Sequence, residues 1–448
     1  MEEDVISDKL DKYYKKKKNI VSILVGILLF VMVYYFPVGT LENLNTDMRA
    51  ALGILLLAAV LWMTEAIPLY VTSLVIVMGQ VFFIDEKTIS SGEALAPFFS
   101  PVIALFLGGF VLASALNRYK LDLKMINGIL KIAGMAPKSI LLAMMVITAF
   151  LSMWMSNTAT TALMIALAVP IYTQMPKDDK FKKAIILGIP FAANIGGMVT
   201  PIGTPPNAII IEELSINGIN IGFLDWILIA LPIALILFLF TYLLLYFSFS
   251  TKINKLNLEI SEETTPGFSK SQIFVLVIFG LTVTLWLSSS IEVVGDFFQH
   301  PGFIALIPPI AFFSTGLLDK DDLAELNWDV LILMGGGLSL GNAISSTGVD
   351  DWIVGLIGYG SMGLVLIILA FSAIAVLLST FMSNTATASL MAPLMLVIGL
   401  DLGMGVSLMA SIALACSIAM ALPVSTPPNA IAYGTDVIEV KDMIKYGG

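Results

Sequence analysis

"LSMWMSNTATTALM", Leu151 to Met164, and "LSTFMSNTATASLM", Leu378 to Met391, are two versions of one stretch, offset by 227 residues. Each sets Ser-Asn-Thr inside an apolar run, where small polar groups are costly unless something pairs with them. The chain around them is 58% hydrophobic and 12% charged over 448 residues, with mean hydropathy +0.94. Soluble domains are nearer a quarter charged. Apolar segments approaching the roughly 20 residues that cross a bilayer recur throughout. "NIVSILVGILLFVMVYYFPV" from Asn19, "WILIALPIALILFLFTYLLLYF" from Trp226 and "IFVLVIFGLTVTLWL" from Ile273 are examples. The fold class read from this is an all-α polytopic membrane protein. The first apolar run is too long for a signal peptide, lacks a small-residue cleavage site and is followed by many others.

Residues 1–18 form a basic amphipathic leader, with Lys15 to Lys18 consecutive, which the positive-inside rule places in the cytoplasm. Spans are expected near 19–38, 49–64, 67–84 and 101–118, then a hairpin over 139–175. Further spans are expected near 184–211, 223–248, 272–290, 301–317 and 328–346. A second hairpin covers 361–399, and a last, broken span covers 404–434. If each hairpin enters and leaves on one side, the leader, 118–138, 176–183, 251–271, 318–327 and 435–448 share the cytoplasmic face. These segments hold 21 of the 23 Lys and Arg, leaving out only Arg49 and Lys87. Reading either hairpin as a single crossing inverts everything after it and destroys that asymmetry.

Two more pairs repeat in the same order. "FLGGFVLASAL" from Phe106 parallels "LMGGGLSLGNA" from Leu333, and "PIGTPPNAI" from Pro201 parallels "PVSTPPNAI" from Pro423. The first hairpin opens to the cytoplasm and the second to the outside, so the repeats are expected to be inverted, as in many secondary transporters. Pro205-Pro206 and Pro427-Pro428 remove amide donors and must interrupt their helices. Broken helices expose carbonyl oxygens at one end, which suit a small hard cation. They expose amide donors at the next end, which suit an anion such as a carboxylate. Ser156 and Asn157 can offer oxygens to a cation, and Asn157 and Thr158 can donate to a carboxylate; Ser383, Asn384 and Thr385 repeat the set. A single such cluster would read as helix–helix glue, but two copies, each matched with a Pro-Pro break, read as a site. The paired glycines of "FLGGF" and "LMGGG" read as close-packing positions. Glu65, in "TEAIP", stands at a span end in a solvated, capping or gating role.

Composition excludes other classes. Cys416 is the single cysteine, so no internal disulfide or thiolate metal cluster forms. The single histidine, His300, precedes Pro301 in an expected loop and reads as solvated. Net charge −10 argues against a nucleic-acid partner. No phosphate-loop signature appears, so any pumping is driven by an ion gradient or by exchange. No nucleophile–base pair or metal set for a membrane enzyme is visible.

Together, the doubled "SNTAT", the doubled "TPPNA" and "TEAIPLYVTSL" near the second span resemble the divalent anion:sodium symporter family, the INDY-type dicarboxylate transporters, from about Asn19 onward. The resemblance implies a homodimeric elevator-type transporter of C4-dicarboxylates, citrate or related di- and tricarboxylates, co-transporting Na+ and needing no resident cofactor. It would be a multi-pass protein of the cell membrane. Scaffold helices would occupy 19–134 and 251–350. A moving transport domain would comprise 135–250 and 351–448. One sodium site would use Ser152, Ser156, Asn157 and the Gly203 carbonyl; the other would use Ser379, Ser383, Asn384 and the Ser425 carbonyl. Substrate carboxylates would meet Asn157, Thr158 and Thr204 on one side, and Asn384, Thr385, Thr426 and Pro427 on the other. The sequence departs from the family in one place. The first half continues through "GFLDW" into an apolar span, whereas the second reaches "VKDMIKYGG" with no counterpart of that closing helix.

Three alternatives stand beside the sodium symporter. A sodium-independent dicarboxylate exchanger of the same family would use the same neutral oxygens. An arsenite or sodium/proton antiporter is expected to bury an Asp or Glu as proton carrier, and none lies in the hairpins or breaks as read. A receptor would bind the ligand without flux.

Overall fold

Prolines and short polar side chains decide where the helices begin. The computed structural model describes residues 2–176, 178–255, 267–356 and 363–448. The first two residues of the expected second hairpin, 361 and 362, and much of the 251–271 connection lie outside the described residues. Among the described residues every regular element is helical. Asn45 caps the Thr46–Thr64 helix by accepting from the Met48 amide at 2.8 Å. Ser90 with Glu93, and Ser269 with Gln272, form capping boxes. Proline stands in the first turn at Pro101, Pro137, Pro205 and Pro427, where its missing N–H costs nothing.

Eight helices among the described residues are long and apolar enough to cross a membrane. The leader is not separate from the first span: one helix runs Glu2–Tyr35. The span expected at 301–317 is instead two short helices, Pro301–Ile304 and Ile307–Ser314, because Pro308 and Pro309 cannot supply the donors that would continue the first. His300, expected to be solvated, is half-buried and caps the first of these, its Nδ1 accepting from the Gly302 amide at 2.9 Å.

Helices sort by what they face. Phe181–Gly197 is buried from Ala184 onward, and Pro205–Ile216, Trp328–Thr347 and Asn384–Asp401 are largely enclosed. Phe223–Ser248, Lys270–Ser288 and Leu364–Phe381 keep most of their apolar surface outside the molecule. On Phe223–Ser248, Phe240 is 64% and Phe247 75% exposed, as suits a surface whose solvent is lipid.

The glycine pairs are close-packing positions. A Cβ on Gly108 would stand 2.1 Å from the Ala305 carbonyl oxygen, and one on Gly336 would stand 2.1 Å from the Ser73 Cβ. Backbone and side chain approach there as nearly as any residue with a side chain would forbid.

Basic segments gather at one end. Arg118 pairs with Asp319 and Asp322, and Lys124 donates to the Gly267 carbonyl and to Gln272. The Thr251 hydroxyl donates to Asp179, and Lys183 pairs with Asp442 at 2.6 Å. These contacts chain together the basic connections picked out by counting. Near Arg49 and Lys87, the two exceptions, Asp47 instead accepts from the Thr88 hydroxyl and the Asp85 amide.

Candidate functional site

The Pro137–Ser152 and Asn157–Thr173 helices form the first hairpin, turning through Met153–Ser156. Leu364–Phe381 and Asn384–Asp401 form the second, with Met382 and Ser383 between them. The second hairpin's arms, 18 residues each, are by length able to cross a bilayer. The broken spans are Phe181–Gly197 with Pro205–Ile216, and Gly405–Ser417 with Pro427–Tyr433. In both, the Pro-Pro pair opens the second half-helix instead of occupying the gap, and the irregular backbone precedes it.

Both hairpin turns and both breaks meet at one cavity of about 910 Å³. Its wall includes Ser156, Asn157 and Thr158 from the first turn and Gly203 and Thr204 from the first break. Ser383, Asn384, Thr385, Ser425, Thr426 and Pro427 supply the corresponding wall from the second half. Helices starting at Asn157, Pro205, Asn384 and Pro427 open on the cavity and turn their positive dipole ends toward it, the two Pro-Pro starts offering no amide at their first two positions. Among the described residues no Lys, Arg or His lines it.

Ser152 and Ser379 stand behind the wall, each fully buried. Ser152 donates to Asn157 Oδ1 at 2.5 Å, and Ser379 lies 2.7 Å from both Asn384 Oδ1 and the Cys416 carbonyl. A Cβ on Gly197 would lie 2.5 Å from Asn157 Oδ1 and 3.0 Å from the Gly203 carbonyl. Two of the four oxygens expected at the first sodium site thus crowd around one glycine, and Ser152 reaches one of them. Around the second, the Ser425 hydroxyl is turned to the Thr380 carbonyl at 3.0 Å, and Ser383 Oγ accepts from the Ala386 amide at 3.1 Å.

The breaks are held by their own side chains. Asn207, of the first "PPNA", donates to the carbonyls of Gly197, Met198 and Thr200 at 2.8–3.1 Å. Trp226 donates to Met198 as well, at 3.1 Å. Asn429 makes the matching tie to Leu422 at 3.0 Å. Hairpin and break are also joined: the Thr200 hydroxyl donates to the Met153 carbonyl at 2.5 Å, just as Ser425 does to Thr380 in the other half. Backbone freed by the breaks is thus satisfied by protein.

Several wall residues were not read from the sequence. Asn194 lines the cavity, is 1% exposed, and reaches Thr426 Oγ1 across the repeats at 3.4 Å. An asparagine in an apolar helix shortly before its break was the available signal. Asp329 brings an exposed carboxylate to the wall, as does Glu65, which was read at its span end in a solvated, capping or gating role. Glu65 adopts left-handed backbone, φ 47°, where its helix ends, a conformation uncommon outside glycine and asparagine. Buried acids were missed too: Glu212 and Glu213 follow the first break, one residue beyond the stretch expected to be free of them.

Comparison with known proteins gives this arrangement its context. The family described as citrate transporter matches residues 59–403 and 300–445. An uncharacterized transporter of Haemophilus influenzae is 35% identical over 446 residues, covering 96% of this chain and 93% of the relative. The sodium-dependent dicarboxylate transporter SdcS of Staphylococcus saprophyticus is 32% identical over 480 residues, covering 97% of this chain and 90% of that one. The inorganic phosphate transporter PHO87 of Saccharomyces cerevisiae is 32% identical over 395 residues, covering 86% of this chain but 41% of its own length. Against the yeast relatives this chain spans less than half their length. The kinship read from the doubled motifs holds across nearly the whole sequence, and the chain belongs to the citrate transporter family of multi-pass membrane transporters, related to the divalent anion:sodium symporters.

Proposed function

We propose that the protein is a sodium-coupled symporter of C4-dicarboxylates such as succinate, malate or fumarate. One observation carries the reading: the helix starts at Asn157, Pro205, Asn384 and Pro427 and two Ser-Asn-Thr turns meet at a cavity with no basic side chain among the described residues. Amide dipoles draw an anion to such a place. They do not neutralise a dianion, so matching cations must come with it. Ser152, Ser156, Asn157 and the Gly203 carbonyl would hold one sodium ion, and Ser379, Ser383, Asn384 and the Ser425 carbonyl a second. Asn157, Thr158 and Thr204 would receive one carboxylate; Asn384, Thr385, Thr426 and Pro427 would receive the other. The sodium dependence named for SdcS supports this assignment.

The hairpins and breaks would move as one body against the remaining helices, in an elevator cycle within a homodimer, with the leader in the cytoplasm. Sodium-gradient-driven uptake of labelled succinate into proteoliposomes tests the reading. Uptake that is equal with and without sodium, and driven only by internal dicarboxylate, would replace the symporter with an exchanger.

A phosphate substrate is the second reading. Helix N-termini hold divalent phosphate as well as carboxylate, and PHO87 is named a phosphate transporter. Competition of phosphate against succinate in the same vesicles separates the two.

A further inference from the structure

Glu212 and Glu213 lie on the Pro205–Ile216 half-helix and are 7% and 3% exposed. Asp350, on Val349–Leu356, is 5% exposed, and its charge bears on Glu213 together with that of Glu212. The Glu213 carboxyl takes no hydrogen bond among the described residues. It lies against Gly341, where a Cβ would come within 3.0 Å of Oε2. One helical turn away on the same face is Gly337, and against it rests Ser389, 1% exposed, whose hydroxyl also has no partner. A carboxyl oxygen and a free hydroxyl therefore sit on one bare helix surface.

Among the described residues no basic side chain is placed to compensate Glu213. The helices Trp328–Thr347, Val349–Leu356, Asn384–Asp401 and Gly405–Ser417 contain no Lys, Arg or His. On Pro101–Arg118, Arg118 is paired with Asp319 and Asp322, and it lies about 26 Å along that helix from Pro101. Apart from Arg118, the charged groups these surroundings present among the described residues are acidic. They are Glu212 with the Ser100 hydroxyl beside it, Asp350, the exposed Asp351, Glu93 bonded to Ser90, Asp329 at the cavity, and Asp401 at its helix end. Among the described residues no three His, Cys, Asp or Glu are placed to hold a metal ion.

We propose that Glu213 is a proton-binding site that links transport to pH, a reading that rests on the transport function proposed above. Burying a carboxylate with two others is costly without a compensating charge, and a proton is the cation the geometry admits. The carboxylate takes H+ from hydronium, forming an O–H bond and leaving water, and returns it to water when the half-helix leaves the Gly341 surface. That same half-helix begins at the cavity, with Glu213 about 12 Å from Pro205. Ligand and proton therefore ride on one rigid element, and acid favours the arrangement seen here.

The test uses the full chain in liposomes. Infrared spectra of the wild type are expected to show a protonated-carboxyl C=O band that Glu213→Gln removes and Glu213→Asp shifts. Apparent substrate affinity of the wild type is expected to change up to about tenfold per pH unit across the titration. Glu213→Gln, which keeps the shape of the neutral acid, is expected to bind substrate with a flat pH profile. An infrared band untouched by either substitution, or identical pH profiles for wild type and Glu213→Gln, overturns the proposal. If neither protein binds a dicarboxylate, the transport reading has failed, and the infrared band still decides the proton site.

Discussion

Gly197 shows how narrow the tolerances are at the scale of a residue. Its missing side chain lets Asn157 Oδ1 and the Gly203 carbonyl converge, and Ser152 completes the group from behind. Gly197→Ala is therefore expected to displace Asn157 and to lower sodium dependence sharply while leaving the protein folded. Sodium titration of substrate binding checks this, and an unchanged midpoint would contradict it. Asn157→Ala and Asn384→Ala each remove a group proposed to touch both cation and carboxylate. Each is expected to cut uptake at least about a hundredfold, in line with losing a charge-assisted contact of about 3 kcal/mol. Monodisperse elution of the purified variants separates this from misfolding, and near-normal uptake by either would remove it from the site.

Elements show what the sequence made legible and what it concealed. The hairpins and breaks could be read because their signals are local: Ser-Asn-Thr interrupts an apolar run, and two prolines cannot continue a helix. Which way the interruption falls is less local. Both Pro-Pro pairs open a half-helix, since proline suits a first turn, and the first gap is held by Asn207 of the motif itself together with Trp226 from the next helix. The break within 301–317 was hidden by its composition, which is apolar on both sides of Pro308. Glu212 and Glu213 stood just past the motif, and only tertiary packing shows that they are buried rather than at a surface. Ion pairs between elements were equally invisible.

One of them carries a pH prediction. The Arg118 guanidinium, with the Asp321 and Asp322 amides, holds the Asp319 carboxyl below the usual carboxylate range. A lowered carboxyl pKa stabilises the fold above the unfolded value, near pH 4, and that stabilisation fades as pH falls through the folded value. Arg118→Ala is expected to lower the melting temperature at pH 7, with the difference from wild type shrinking below about pH 4. Thermal unfolding across pH checks it; a difference that is constant with pH would show that the loss is one of packing.

At the scale of the molecule, the proposed inverted arrangement makes a claim about sides. The basic connections are chained together at one end through Arg118, Lys124, Lys183 and their partners. Cysteines placed at Lys138 and Lys180 in a Cys416→Ala background are expected to react with an impermeant thiol reagent only from the cytoplasm, and one at Asp401 only from outside. Labelling of both hairpin bases from one side would overturn the arrangement.

The central claim is that a cavity with no basic side chain among the described residues holds a dianion because sodium ions enter with it. Moving an uncompensated charge through the bilayer would cost at least several kcal/mol. Linkage then requires substrate and sodium to raise each other's affinity by the same factor. The direct measurement is succinate binding to the detergent-purified protein by calorimetry, in sodium and in choline at equal ionic strength. The account predicts binding at least tenfold tighter in sodium, about 1.4 kcal/mol, with Ser156→Ala and Ser383→Ala each reducing the difference; equal affinity in the two salts would contradict it.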